Sequence, residues 1–213
     1  METDGPGLRE RKKRATQAAL RTAALRLALE RGPENVRVDD IAEAAGVSPR
    51  TYNNYFSSRE HAIVAAVTAD RASQLGAAVA DSPADVSLGA TVIDAVVDLY
   101  TDSHDHLRDV LQMITTSPAL RACYVETATT IEEPLADALT ERWPDMDRLT
   151  AQVLSACVGA AARVALQQWL QSASVPASMK GFVVPSGSLP QLVRTALTPL
   201  VPALDAATTR SHH

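Results

Sequence analysis

The sequence is poor in the residues on which disulfide scaffolds, metal clusters and membrane spans depend. It has two cysteines, Cys123 and Cys157, too few and too far apart for a disulfide framework or a thiolate cluster. No run of about 18 apolar residues predicts a membrane span, and no apolar stretch indicates a secretory signal. Phosphate-binding glycine loops, nucleophile elbows and zinc-protease motifs are also missing. We therefore predict a cytoplasmic protein without a cofactor or a catalytic site.

Residues 98–109 have Asp and His at a spacing that could hold a divalent cation. Asp102 and His106 lie one helical turn apart, with His104 between them. No cysteine or further histidine completes a four-ligand set, and Ser103 or Asp102 can instead cap the helix that follows. We favour the capping interpretation and predict no metal site.

Residues 38–56, VDDIAEAAGVSPRTYNNYF, have the pattern of two short helices joined at a glycine. Apolar residues repeat at one-turn spacing up to Gly46, which stands where a helix end favours a left-handed residue. Ser48 can cap the second helix, and Pro49 suits its first position. This is the pattern of a helix-turn-helix. The second helix carries polar side chains that suit the major groove of DNA, namely Arg50, Thr51, Asn53, Asn54 and Tyr55.

Positive charge is concentrated at the N-terminal end of the chain. Residues 8–31 contain eight Lys or Arg and two Glu, a local balance of +6. Residues 1–60 have 11 basic and 9 acidic side chains, or +2, whereas residues 61–213 have 9 and 16, or −7. We expect DNA phosphates to contact the N-terminal part and the acidic remainder to lie away from the DNA.

A basic first helix ending in ALERG, then DIAEAAGVS, a reading helix ending in YF, and SSRE together resemble the TetR family of transcriptional repressors. The resemblance covers about residues 15–65. It implies an all-α protein with a three-helix DNA-binding domain in residues 1–60 and a helical ligand-binding and dimerisation domain in residues 61–213. Residues 1–8 are expected to be disordered. The resemblance also implies a homodimer that binds a palindromic operator in double-stranded DNA and responds to a small-molecule effector.

Several positions depart from the family pattern. Arg50 and Tyr52 stand where Gly and Leu are common, and Asn53 replaces a frequent Tyr, so we expect added polar reach and an operator unlike that of relatives. Ala28 stands where Phe often packs, and Tyr52 is large enough to fill that space. Arg59 replaces a Lys that is expected to touch phosphate. The predicted DNA-binding residues are Arg37, Ser48, Pro49, Arg50, Thr51, Asn53, Asn54, Tyr55 and Arg59.

The sequence of the rest of the chain predicts helices around an apolar pocket. A capping box at residues 57–60 starts a helix expected to run to about residue 80. Pro134 is expected to kink or divide a later helix near Glu133, and this helix is expected to end at Trp143. With only 4% aromatic residues, an aliphatic or acyl effector is favoured, and Arg163 could offer it a charge. The candidate ligand residues, for which ordinary core packing is the alternative, are Tyr100, Met113, Tyr124, Arg163, Gln167 and Trp169.

Two segments near the C-terminus have the pattern of a subunit interface. Residues 149–170 are apolar or small around most of a helix, which indicates burial on two sides, and residues 189–204 form an amphipathic seam that Pro199 and Pro202 interrupt. In the TetR family the last two helices form a four-helix interface. The candidate interface residues are Ala156, Ala160, Val164, Leu192, Val193 and Leu197.

Two other classes of function compete with a DNA-binding regulator. A helix-turn-helix also occurs in proteins that never contact DNA, so a helical protein-interaction module is the main alternative. An enzyme with a helical fold comes third, because no catalytic motif is present. A symmetric sequence motif in selected DNA would favour the regulator over the interaction module.

Overall fold

The computed structural model describes residues 6–83, 85–101, 107–173 and 188–209. Over these residues the protein is all-α, with twelve α-helices and no strand. Short 3-10 turns lie at Pro33–Asn35, Thr127–Ile131 and Thr198–Leu200. The helices are α1 (Pro6–Arg31), α2 (Val38–Ala44), α3 (Pro49–Asn53), α4 (Arg59–Thr68), α5 (Arg71–Ala80), α6 (Leu88–Asp98), α7 (Leu107–Thr116), α8 (Pro118–Glu126), α9 (Glu132–Arg142), α10 (Arg148–Ala173), α11 (Leu189–Leu197) and α12 (Val201–Thr209).

The chain divides into two compact units. The first comprises Met1–Ala69 with Arg108–Cys123, and the second comprises Asp70–Leu107 with Tyr124–His213. The division falls at Ala69, later than the boundary expected at residue 60, because α4 packs along α1 within the first unit. The first unit therefore holds α1 to α4, α7 and most of α8.

The single long helix expected after Ser58 is in fact two helices. Ser58 caps α4 as expected, since its hydroxyl accepts the N–H of His61. However, α4 ends at Thr68 and α5 begins at Arg71. The Thr68 hydroxyl donates to the carbonyl of Val64 at 3.1 Å, and such local bonds compete with the regular helical pattern.

The helix that was expected to be kinked or divided near Glu133 is divided just before that residue. The chain leaves the α-helical path earlier, at the 3-10 turn Thr127–Ile131, and resumes it at Glu132. Pro134 then lies in the first turn of α9, where its missing N–H removes no helical hydrogen bond. The predicted end of this helix is confirmed, because α9 stops at Arg142 just before Trp143.

In the second unit α10 packs against α9, α11 and α12, and α6 packs against α5, α11 and α12. Gly89 in α6 allows the close approach of α12. A Cβ at this position would lie 2.9 Å from the Val201 Cγ1 and 3.2 Å from the Val201 Cα. The N–H of Gly89 donates to the Asp205 carboxylate at 2.7 Å, so α12 supplies a cap for the start of α6.

We predict that Gly89→Ala destabilises the second unit by about 1 to 3 kcal/mol, because the new methyl group overlaps backbone as well as side chain. Gly76→Ala is the matched control. Gly76 lies in α5 with nothing within 4 Å of an added Cβ, so this change should stabilise by about 0.5 to 1 kcal/mol. Thermal unfolding should separate the two variants. A Gly89→Ala protein with the same melting temperature as the parent would contradict the close packing of α6 and α12.

Candidate functional site

The turn between α2 and α3 is fixed by backbone hydrogen bonds. Gly46 has φ 70°, the left-handed value expected from its place in the sequence. Its N–H donates to the carbonyl of Glu43 at 3.0 Å, and the N–H of Val47 donates to that of Ala42 at 2.9 Å. These two bonds form a Schellman motif, which ends α2 and turns the chain toward α3.

The starts of both helices are capped by side chains. The Ser48 hydroxyl accepts the N–H of Thr51 at 3.1 Å, and Pro49 occupies the first position of α3, as expected. At the start of α2 the acceptor is Asp40, whose carboxylate takes the N–H of Arg37 at 3.0 Å. The side chain of Arg37 is exposed and has no capping task, so it is available to a phosphate.

The surface of α3 separates into an exposed polar side and a buried aromatic side. Tyr52 is fully buried, its ring centroid is 5.8 Å from that of Phe56, and its hydroxyl donates to the carbonyl of Ser58 at 2.8 Å. Burial, with the charge of Glu60 adding to it, raises the pKa of Tyr52 to about 12. The expectation that Tyr52 adds a polar contact to DNA is therefore wrong, because its ring is buried in the core of the unit. The exposed residues are Ser48, Pro49, Arg50, Asn53 and Asn54, with Thr51 and Tyr55 half-buried.

Arg59 links the start of α4 to the backbone of the segment that precedes α2. Its guanidinium donates to the carbonyls of Glu34 and Val36 at 3.0 and 2.9 Å, and to the Glu60 carboxylate at 2.8 Å. Burial opposes ionisation of Glu60, but hydrogen bonds from Arg59, its own backbone and Ser58 hold the pKa of its carboxyl below the ordinary value. These three bonds use the Nε and Nη1 groups of Arg59, and its expected contact with phosphate stays a prediction.

The basic N-terminal part of the first unit is helical. α1 begins at Pro6, inside the stretch expected to be disordered up to residue 8. In its first turns Arg14 and Glu10 form an ion pair at 3.4 Å, and both side chains stay largely exposed. A row of exposed cations runs along this end of α1, namely Arg9, Arg11, Lys12, Lys13 and Arg14.

The six candidate ligand residues are divided between the two units. Tyr100 and Tyr124 are buried in the second unit, whereas Met113 belongs to the first unit and lines a cleft of about 650 Å³ beside the end of α1. Arg163 and Gln167 are exposed on α10, and Trp169 is half-buried. Arg163 is therefore not the charge inside the body, because its position on α10 turns it away from the packed side of that helix.

The charge inside the body is Arg71, which the sequence interpretation missed. Its side chain is buried at the start of α5, where its guanidinium donates to the Tyr124 hydroxyl at 2.7 Å. The carbon of the guanidinium also lies 4.5 Å from the centroid of the Tyr100 ring. A signal was present in the sequence, because Arg71 shares one-turn spacing with Leu75 and Val79, both fully buried.

The candidate interface residues are divided between two environments. Ala156, Ala160 and Val164 lie on the outer side of α10, and Leu192 is half-buried on α11. Val193 and Leu197 are fully buried within the chain itself, so the structure contradicts their assignment to a subunit interface. Both point into the packing of α11 with α6 and α10. The possible metal ligands Asp102, His104 and His106 lie outside the described residues.

These features define a helical regulator with one helix-turn-helix head. The profile described as "Bacterial regulatory proteins, tetR family" matches residues 20–66, and that described as "MftR C-terminal domain" matches residues 81–181. The chain is 30% identical over 177 residues to the HTH-type transcriptional regulator TcmR of Streptomyces glaucescens, with 78% of each chain covered. The chain therefore belongs to the TetR family of transcriptional regulators.

A solved structure agrees with this assignment at the level of the fold. The chain is similar to the TetR family repressor AlkX from Dietzia sp., a protein implicated in biodegradation of n-alkanes. The TM-score is 0.54 at 18% identity, with 90% of this chain and 97% of the other covered.

We predict that Arg50→Ala and Asn54→Ala act on DNA recognition, whereas Arg59→Ala acts on stability. Removing either exposed side chain should weaken binding to a selected duplex by about 1 to 3 kcal/mol and relax the base preference at one position. Arg59→Ala should lower the free energy of unfolding by about 1.5 to 3 kcal/mol, because it leaves carbonyls without their charged donor.

Arg59→Lys is the control, since one ammonium cannot reproduce the planar fork and should restore only part of the lost stability. Thermal unfolding and binding titrations at several salt concentrations measure the two effects. An Arg59→Ala protein of unchanged stability with a salt slope reduced by about one unit would instead make Arg59 a phosphate contact.

Proposed function

We propose that this TetR-family regulator is a cytoplasmic homodimeric repressor, which binds an approximately palindromic operator and leaves it when a small, largely apolar effector binds. The observation that carries the proposal is the surface of the first unit. Exposed hydrogen-bonding side chains lie on α3, whose buried side is fixed by Tyr52, and an exposed row of cations lies on α1.

The reading part of this surface consists of amide and guanidinium groups. Arg50 can offer two parallel donors to guanine, and Asn53 or Asn54 can pair with adenine through one donor and one acceptor. Pro49 at the start of this short helix and the half-buried Tyr55 just after its end flank them. A helix of five residues reaches only a few base pairs, so a second copy of the head is needed for a long recognition sequence.

The anchoring part consists of charge. The cations at the start of α1 and the exposed Arg37 can neutralise phosphates and release counterions, which gives affinity without sequence preference. Because residues 61–213 have a net charge of −7, the same attraction does not extend over the body of the protein. DNA contact should therefore be confined to the first unit.

The dimer is proposed from an apolar stripe on α10. Leu149, Val153 and Val164 are 69%, 54% and 55% exposed, and each is a large hydrophobic side chain. Together with Ala156 and Ala160 they follow a spacing of four, three, four and four residues, which keeps them on one side of a helix. A second subunit placed on this stripe would bury it, and the alanines would permit close approach.

By length and composition α10 could also cross a membrane, with a mean hydropathy of 1.5 over its most apolar window and 39% of that window buried. One such helix is weak evidence for a span, because a core helix of a soluble protein passes the same test. Its fully buried side, which includes Ala151, Val158 and Leu166, already packs within the second unit. Burial of the outer stripe in a dimer accounts for the rest of its apolar character.

We predict that Val164→Glu converts the dimer to monomers, because a second subunit would bury an unpaired carboxylate. Gln74→Glu is the matched control, since Gln74 is exposed on α5 and therefore lies outside the stripe on α10. Leu197→Glu should unfold the protein, because Leu197 is core. Sedimentation equilibrium at micromolar concentration decides the matter, and a parent protein that is monomeric there removes this interface.

Selection from random duplex DNA should return an inverted repeat, with half-site centres about 34 to 36 Å apart or a multiple of that distance. The two-fold dimer imposes this symmetry on the bound sequence. Removing the first two turns of α1 should weaken binding to all duplexes while leaving the selected motif unchanged. If the selection returns no enriched sequence, a helical interaction module explains the protein better than a repressor does.

A further inference from the structure

Arg71 is a buried cation at the start of α5. Its side chain is 5% exposed. The guanidinium donates to the Tyr124 hydroxyl at 2.7 Å and to the Thr127 hydroxyl at 3.4 Å. It also lies over two aromatic rings, 4.5 Å from the centroid of Tyr100 and 5.2 Å from that of Tyr124. All four residues belong to the second unit, so one compact body builds this cluster.

No carboxylate in the described part of the chain forms an ion pair with Arg71. Buried arginines are ordinarily paired, because removing an unpaired charge from water costs several kcal/mol. The neighbouring Asp70 is exposed and makes no side-chain cap at the start of α5. The helix end adds its own partial positive charge, so the cluster carries positive potential without an opposing group among the described residues.

The hydroxyl of Tyr100 is the second unusual group. Tyr100 is 7% exposed, and its hydroxyl has no hydrogen-bond partner among the described residues. Burial raises the pKa of Tyr100 to about 12, with Arg71 opposing the shift and Tyr124 adding to it. The phenol is therefore a neutral donor near pH 7 and does not act as the counter-ion of Arg71. The Tyr124 hydroxyl accepts a hydrogen bond from Arg71 and keeps its own proton to donate.

We propose that Arg71, Tyr100 and Tyr124 bind the carboxylate of an organic monoanion, which deepens the proposed function by giving its apolar effector an acidic end. The cluster offers spare donors and one positive charge. A carboxylate only accepts hydrogen bonds, has two oxygens for an arginine fork, and carries one negative charge. A neutral alcohol would leave the cation unpaired, and a metal ion would be repelled.

The place of Arg71 in the chain suits an effector site. The two units divide between Ala69 and Asp70, so Arg71 is the second residue after that division. A carboxylate that draws the Arg71 side chain toward itself would act on the first turn of α5. The same chain continues directly into α4 of the DNA-binding unit. Coupling to DNA then requires only that the anion binds one arrangement of this junction better than the other.

The test compares octanoate with octanol in titrations of the full chain without DNA. Octanoate should bind at least about tenfold more tightly, a difference of about 1.4 kcal/mol. Arg71→Gln should abolish this preference, and Arg71→Lys should keep part of it, since the lysine retains the charge. Arg194→Gln is the control, because Arg194 is an exposed residue of the second unit that pairs with Asp94 at the surface.

Tyr100→Phe separates a binding role from a structural one. The Tyr100 hydroxyl makes no hydrogen bond to the described residues, so its removal should leave the melting temperature unchanged or raise it. Octanoate affinity should nevertheless fall about tenfold, because the carboxylate loses a donor. This variant also keeps the test valid if the Arg71 variants fail to fold.

Several results would overturn the carboxylate site. They are equal affinity for octanol, an octanoate preference that survives in Arg71→Gln, tighter binding of octyl phosphate than of octanoate, and no binding of octanoate at all. A lower melting temperature with unchanged octanoate affinity in Tyr100→Phe would do the same. Operator release is measured separately. If Arg71-dependent binding of octanoate leaves operator affinity unchanged, the site stands and its role as the effector site fails.

Discussion

The reading surface of this protein depends on hydrogen bonds from one buried and one half-buried side chain to the backbone of neighbouring elements. Tyr52 ties α3 to the carbonyl of Ser58, and Arg59 ties the start of α4 to the carbonyls of Glu34 and Val36. α3 itself has five residues, and a helix of that length is not stable alone in water. Its orientation therefore comes from these contacts and from the turn at Gly46. The exposed side of α3 can vary in chemistry because its buried side is fixed.

Much of the DNA-binding unit could be predicted from the sequence, since its signals are local. The glycine turn, the Ser48 cap and the proline at the start of α3 each act within a few residues. The internal contacts of Tyr52 and Arg59 were not predicted, because they join residues 6 and 25 positions apart in the sequence. A polar side chain on a short helix looks exposed until the neighbouring element that accepts its hydrogen bond is known.

The body was harder to predict for the same reason. Periodicity identified α10 and α11 as apolar, but it could not tell which apolar side the chain covers by itself. Val193 and Leu197 pack within the subunit, whereas Val164 remains exposed. Proline was equally ambiguous, because Pro134 is harmless in the first turn of a helix and disruptive further along. Arg71 was not among the predicted ligand residues, although it has one-turn spacing with the buried Leu75 and Val79.

The two halves of the molecule use arginine in opposite ways. Arg59 directs its Nε and Nη1 groups to two carbonyls and a carboxylate of its own unit, which gives it a structural role. Arg71 is more deeply buried, yet its hydrogen bonds go to neutral hydroxyls, and no carboxylate among the described residues pairs with its charge. Such an arrangement lowers stability in the free protein. An anion bound beside Arg71 is attracted by its charge without having to break an existing ion pair. The anion can therefore bind one state of the α4–α5 junction more tightly than the other through this single group.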